Sequence, residues 1–265
     1  MPTLHTNGTD LYYDVAGRGA PLLLIPGLSG NTAAWDGLRP YFVEHFSVIS
    51  LDNRGAGRSG SPAGPYTTAM MADDAAALLD HLNAPPTAVV GHSMGGMIAQ
   101  ELALRHPDRV AKLVLHATAA QPTHIAQQWL RAYIWLLHSD VDAEQAVLWV
   151  LPWMVSSGLM RQHAEVEAMV DAWLNDPYPP AVAGVTAQAE ACLAHDARAR
   201  LPEIAAPTLV LTAADDLLTP VGCAQELADG IPGARLQVLP SGGHIPDLEF
   251  PGDVSAAMLA FLLAG

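Results

Sequence analysis

Basic residues are scarce in this chain. Lysine and arginine together number 12 of 265 residues against 27 aspartates and glutamates, for a formal net charge of −15. No Lys/Arg cluster is available to neutralise phosphates, which argues against a nucleic-acid partner. Cysteine is nearly absent: Cys192 and Cys223 lie far apart with no metal-ligand spacing, as two reduced, partly buried thiols of a cytoplasmic protein would. Long apolar runs are lacking too. The best stretch, "QAVLWVLPWMVSSGLM", is too short and too interrupted for a membrane span. The opening "MPTLHTNGTD" lacks the basic region and apolar stretch of a signal peptide, so secretion by that route is not expected. Charged residues make up only 15% against 51% apolar, which excludes disorder and leaves room for one large core, or a core plus an inserted subdomain.

What is present alternates. "TLHTNGTDLYYDV" reads as two strands joined by Asn7-Gly8, a strong hairpin signal. "PLLLIPG" and "FSVISLD" are apolar runs ending in turn residues, as buried strands do, and "NTAAWDGLRPYF" between them has a polar start and a helical pattern. "TTAMMADDAAALLDHL" predicts a helix, "TAVV" a strand, "MGGMIAQELALRH" a helix and "AKLVLHA" a strand. The alternation implies a parallel sheet with helices on both faces. It breaks after residue 120 and resumes near 201 with "PTLVLTA", "VGCAQELADGI", "ARLQVLP" and "PGDVSAAMLAFLLA". Residues 1–120 and 201–265 are therefore expected to form an α/β core, and 121–200 a helical cap inserted after about the sixth strand.

"VVGHSMGGMIAQ" crowds Gly91, Gly95 and Gly96 around Ser93, where an apolar run gives way to a helical pattern. Gly91 to Gly95 fits G-x-S-x-G between a strand and a helix. In a nucleophile elbow the serine occupies a strained turn, its neighbours must be small, and backbone N–H groups at the helix start can stabilise developing negative charge. A glycine-rich turn with an idle serine is the bland alternative. Serine is unreactive without a base, and the base needs an orienting carboxylate, in the chain order Ser, acid, His. "TLVLTAADDLLTP" places Asp215 and Asp216 just past a strand end, and "LPSGGHIPDLEFP" places His244 in a loop after the next strand. His92 adjoins the serine, but at a tight turn neighbouring side chains point apart, which disfavours it as the base. Asp52, Arg54 and Arg58 in "LDNRGAGRS" read as structural, with Arg54 tying down loops. Cys192 has no His or Asn arrangement that would make it a nucleophile.

On "GHSMGG", "DNRGAGRS", "RHPDRVAKLVLHA", "PTLVLTAADDLLTP" and "GGHIPDLEFP", the chain resembles the α/β-hydrolase fold superfamily over essentially its whole length. Within it the chain is similar to small carboxylesterases, to the enol-lactonases of aromatic catabolism and to the aminoacrylate-hydrolase-like group of pyrimidine breakdown. The resemblance implies an α/β fold with a mostly parallel central sheet flanked by helices. It implies a triad of Ser93, Asp216 and His244, because the family's G-x-x-D-x-x-x-P pattern matches Ala213 to Pro220 and selects Asp216, leaving Asp215 capping or solvated. It also implies an oxyanion hole from the backbone N–H groups of Leu28 and Met94. The sequence departs from many relatives at "IPGLSG", where Pro26 stands in place of a histidine. The donors belong to the backbone, so that loss need not abolish the hole.

The implied activity is hydrolysis of a small carboxylic ester through an acyl-enzyme on Ser93, with no cofactor and no metal. A lactonase, an aminoacrylate-type hydrolase, a hydrolase of carbon–carbon bonds, a perhydrolase or an amidase would keep the same triad. Dehalogenases and epoxide hydrolases of the superfamily use a carboxylate nucleophile, which Ser93 disfavours. The cap supplies Trp129, Trp135, Trp149 and Trp153, of which Trp129, Trp135 and Trp153 are candidates for the substrate pocket. Their apolar faces suit an ester or lactone with an apolar part. An acidic substrate would want cations, and Arg131 and Arg161 are the cap residues able to supply them. A ligand-binding receptor on a hydrolase scaffold is the non-enzymatic alternative, disfavoured because all three triad residues are present. The oligomeric state is not legible.

Overall fold

Asn7 and Gly8 occupy the left-handed region, with φ of 47° and 74°, and so close a two-residue turn between β1 (Thr3–Thr6) and β2 (Thr9–Gly17). This hairpin begins the eight-stranded sheet of a computed structural model that describes residues 2–264. The other strands are β3 (Ala20–Ile25), β4 (Phe46–Leu51), β5 (Thr87–His92), β6 (Val110–His116), β7 (Thr208–Ala213) and β8 (Arg235–Leu239), in the order β1-β2-β4-β3-β5-β6-β7-β8. β2 runs antiparallel to β1 and β4; every pairing from β4 to β8 is parallel. The architecture is an α/β-hydrolase fold.

The central strands are apolar on both faces because both are covered. Side chains alternate by the two-residue period: Leu23, Ile25 and Val89 join one core, and Leu22, Leu24 and Val90 the other. The first core includes Met71 and Leu78 of α2 (Thr68–His81) with Ile98 and Leu102 of α3 (Met94–Arg105). The second includes Phe42 of α1 (Arg39–Phe42) and, near the C-terminus, Met258 and Phe261. The helix expected over "NTAAWDGLRPYF" is instead a 3-10 turn, Thr32–Trp35, followed by the single turn of α1. Pro40 has no N–H to continue a helix through this stretch, and Asn31 caps the first turn by accepting from Ala33 N–H at 2.9 Å.

Between β6 and β7 the chain leaves the sheet for α4 (His124–Leu137), α5 (Ala143–Met154), α6 (His163–Leu174) and α7 (Val182–Ala194). This helical cap is fastened to the sheet by polar contacts. Ser29 N–H donates to Gln188 Oε1 at 2.9 Å, and Gln188 Nε2 donates to Arg54 O at 2.7 Å. Asn31 Nδ2 donates to Asp176 at 3.2 Å, and the Arg58 guanidinium lies between the rings of Tyr12 and Tyr178, 3.7 and 4.6 Å from their centroids. After β7 come α8 (Val221–Gly230), then, beyond β8, α9 (Pro246–Glu249) and α10 (Pro251–Leu262). No helix among the described residues is long and apolar enough to cross a membrane.

Candidate active site

β5 ends against the start of α3, and the turn between them carries Ser93 at φ 53°, ψ −118°. This is an unusual conformation for a residue with a side chain and holds local strain. The surroundings maintain it: Ser93 N–H donates to His116 O at 2.9 Å, and Thr118 Oγ donates to Ser93 O at 2.7 Å. The glycines permit the crossing. A Cβ on Gly91 would lie 2.6 Å from the Gly95 carbonyl carbon, and one on Gly95 would lie 2.7 Å from Pro26 O. Strand and helix approach only because both positions lack side chains.

Two further strand ends deliver the partners. His244, on the loop after β8, places Nε2 2.8 Å from Ser93 Oγ. Its Nδ1 lies 3.0 and 3.2 Å from the two oxygens of Asp216, on the loop after β7. Asp216 is 3% exposed. Burial alone would raise its carboxyl; the charge and hydrogen bond of His244, with the donors of Thr219, outweigh this and hold it well below the usual carboxylate range. An ionised carboxylate only accepts, so Nδ1 carries the proton and donates, leaving Nε2 as acceptor for the Ser93 hydroxyl. The serine is thereby hydrogen-bonded to an imidazole of fixed tautomer.

Leu28 lies on the loop after β3, and that loop abuts the elbow: a Cβ on Gly27 would lie 3.2 Å from Ser93 Cβ. Neither Leu28 N–H nor Met94 N–H has an acceptor among the described residues. Asp215 is exposed and tied to the next loop, accepting from Gly242 N–H at 3.3 Å. His92 is not the partner of the serine hydroxyl; it donates from Nε2 to the backbone oxygen of His244 at 2.9 Å. Burial, with His116 and His244 alongside, pushes it down to about 4, so its ring is neutral at ordinary pH. His116 and Asp247, not singled out by the sequence, complete a buried cluster below it. Ligand atoms of His92, His116 and Asp247 lie within 4.8 Å of one another. They are already engaged in hydrogen bonds, His92 with His244 O and His116 Nε2 with Asp247 at 3.4 Å.

The loops around the site are fixed by ion pairs. Arg54 grips Asp74 through Nε and Nη2 at 2.6 and 2.7 Å, and Asp52 accepts from Thr32 N–H, Arg58 N–H and Arg58 Nε at 2.7, 2.8 and 2.9 Å. In the cap, Trp129 is 8% exposed and stacks with both Tyr133 and Trp149, with centroids 5.0 and 6.0 Å away. Trp153 is half-buried against the same core, whereas Trp135 is 68% exposed and is not brought in with them. Arg131 and Arg161 are both exposed. Cys192 and Cys223 are buried and unpaired, their thiols pushed up by burial to about 12 and about 11. Thr219 and Thr118, which hold Asp216 and the Ser93 turn, carry no motif of their own by which the sequence would single them out.

An α/β sheet with a serine, histidine and carboxylate gathered at the carboxyl ends of its strands defines a hydrolase. Residues 20–251 match the family model of the alpha/beta hydrolase fold, and the chain belongs to that family. A protein of Caulobacter segnis with the proposed name carbamate hydrolase RutD is 35% identical over 257 residues, covering 94% of this chain and 93% of its own length. The solved enol-lactonase of Burkholderia xenovorans LB400 is similar at a TM-score of 0.90 and 28% identity, covering 99% of this chain and 100% of that one. A thermophilic esterase from Thermogutta terrifontis, solved with malate bound, has a TM-score of 0.85 and 30% identity, covering 98% of this chain and 96% of its own.

Proposed function

We propose that the protein is a serine hydrolase cleaving a small carboxylic ester with an apolar part, through an acyl-enzyme on Ser93. The observation that carries this reading is the continuous chain from Ser93 Oγ to His244 Nε2 at 2.8 Å and from His244 Nδ1 to Asp216 at 3.0 Å. Ser93 Oγ attacks the ester carbonyl as its proton passes to Nε2, and Asp216 stabilises the imidazolium that forms. The unengaged N–H groups of Leu28 and Met94 receive the oxyanion. His244 returns the proton to the leaving alcohol. Water, activated by the same imidazole, then attacks the acyl carbonyl, and the acid leaves as Ser93 regains its proton. No step calls for a metal or an organic cofactor.

The cap, residues 121–200, covers the site in this reading, with Trp129 and Trp153 facing the acyl or alcohol group. The exposed positions of Arg131 and Arg161 support an apolar substrate over an anionic one. The buried, unpaired state of both cysteines supports a cytoplasmic location. Lactone opening is the second reading, favoured by the likeness to a solved enol-lactonase, and it uses the same triad.

Hydrolysis of p-nitrophenyl esters from acetate to laurate, beside simple lactones and a Ser93→Ala control, tests this reading. Ester turnover that disappears in Ser93→Ala supports it, and the chain-length optimum sizes the pocket. Turnover confined to lactones moves the second reading forward. Folded protein that turns over neither, with Ser93 refusing acylation, leaves a receptor on a hydrolase scaffold.

A further inference from the structure

His244 sits on residues 240–245, a stretch with neither helix nor strand between β8 and the single turn of α9. An imidazole on such a loop has to be held from outside it. Beside the two bonds that Gly242 exchanges with Asp215, three hydrogen bonds nearer the imidazole do this. Gly243 N–H donates to Glu249 Oε1 at 2.7 Å, Ile245 N–H donates to Met154 O at 2.8 Å, and His244 O accepts from His92 at 2.9 Å.

The first two lead into the cap. Met154 ends α5, and Glu249 also accepts from Ser156 N–H on Oε1 at 2.9 Å and from the Ser156 hydroxyl on Oε2. One carboxylate therefore joins the Gly242–Gly243 peptide group to a cap residue. The join is backbone against backbone. A Cβ on Gly243 would lie 2.6 Å from Val155 Cα and 2.7 Å from Ser156 N, so this approach requires glycine. Val155 and Ser156 are both buried. The Gly242–Gly243 and His244–Ile245 peptide groups and the cap residues 154–156 thus form one packed piece.

We propose that cap residues Met154 to Ser156, fastened by Glu249, are the positioning element of His244, so that seating of the cap and alignment of the base on Ser93 are a single event. Glu249 is a positioning residue: it acts on the proton transfer only through the His244 loop. The proposal rests on the reading of His244 as the general base. When the segment lifts, Ile245 N–H loses its Met154 acceptor, Glu249 loses both Ser156 donors and is free to release Gly243 N–H, and the ring loses its 2.8 Å approach to Ser93 Oγ. A displacement of about 1 Å at a catalytic group is enough to lower the rate roughly a hundredfold.

The test compares full-length wild type, Glu249→Ala and Glu249→Gln. Glutamine keeps one oxygen for the two N–H donors and offers its amide to Ser156 Oγ, so it preserves the join. With p-nitrophenyl acetate, Glu249→Ala is expected to lower kcat roughly tenfold to a hundredfold and leave KM within about twofold, while Glu249→Gln restores most of kcat. The second readout is the downfield proton NMR signal of the His244 Nδ1–H bonded to Asp216. It should be sharp in wild type and Glu249→Gln, and broadened or lost in Glu249→Ala that remains folded by circular dichroism. Unchanged kcat with an unchanged downfield proton in Glu249→Ala overturns the proposal. If wild type turns over no ester, the ester reading fails, yet the downfield proton still decides: loss in Glu249→Ala supports the positioning element, persistence overturns it. Should Glu249→Ala not fold, Ser156→Ala, which removes the hydroxyl's bond to Glu249 and the one it accepts from Leu159 N–H while keeping the Ser156 N–H bond, is judged by the same two readouts.

Discussion

Thr219 addresses both oxygens of Asp216: its hydroxyl donates to Oδ2 at 2.7 Å and its backbone N–H to Oδ1 at 2.9 Å. Leu218 N–H adds a second backbone donor to Oδ1 at 2.9 Å. With these three donors and His244 around it, the buried carboxylate has one orientation and is held well below the usual carboxylate range. Asp216→Asn keeps the shape but presents an amide to a ring that needs an acceptor, favouring the wrong tautomer. The expected outcome is a loss in kcat/KM of about 10³- to 10⁴-fold, read from ester hydrolysis. Thr219→Ala removes one donor of several and should fall far less.

The backbone of Ser93 separates catalysis from stability. Its φ of 53° is strained for any residue with a Cβ and easy for glycine. Both Ser93→Ala and Ser93→Gly should be inactive. Ser93→Gly should nevertheless be more stable than Ser93→Ala by about 1 kcal/mol, because relief of strain exceeds the extra entropy of the unfolded chain. Paired urea melts check this, and equal midpoints would mean that the turn is not strained.

Stability should decline between pH 7 and pH 4. Burial holds His92 and His195 down to about 4 in the folded protein, against an ordinary value of 6.5. Between those values the unfolded chain binds more protons than the folded one, so stability rises with pH across this window and falls as it is crossed downward. Each ring contributes a slope approaching 1.4 kcal/mol per pH unit, roughly. Asp216 and Asp247 are both lowered despite burial, by His244 and by His116 and His92 respectively. Their contribution is present above the ordinary carboxylate value of 3.8 and lost as pH falls through their folded values. Urea unfolding from pH 4 to 7 measures the slope, and His195→Gln should flatten it.

Neither thiol should react in the folded state. Only thiolate is nucleophilic, and burial raises Cys192 to about 12 and Cys223 to about 11. Iodoacetamide at neutral pH should leave the intact mass unchanged in native protein and add two adducts in urea. Alkylation of native Cys223 would show that α8 opens locally.

Much of the site was legible because its constraints are local. Asn7-Gly8 announces its turn since those residues tolerate positive φ, and G-x-S-x-G announces a crossing that admits no side chains. The order Ser93, Asp216, His244 is visible because each residue follows its own strand. The cap tryptophans were less legible. Trp129 and Trp135 are six residues apart on α4, about 120° around the helix, so they do not share a face. Periodicity says this much; it does not say which face is covered.

The sequence by itself determined the alternation of strands and helices, the elbow around Ser93 and the chain order of its partners, because neighbouring residues set backbone dihedrals and apolar periodicity. Only the tertiary structure decided that Trp129 is buried while Trp135 faces water, that His92 bonds to the backbone of His244, and that Glu249 joins Ser156 to Gly243. The pairings of His92 with His244 and of Ser156 with Glu249 span 152 and 93 residues, and no local preference links them. They exist because the sheet stacks its strand ends side by side, bringing the loops after β3, β5, β7 and β8 and the end of α5 into contact.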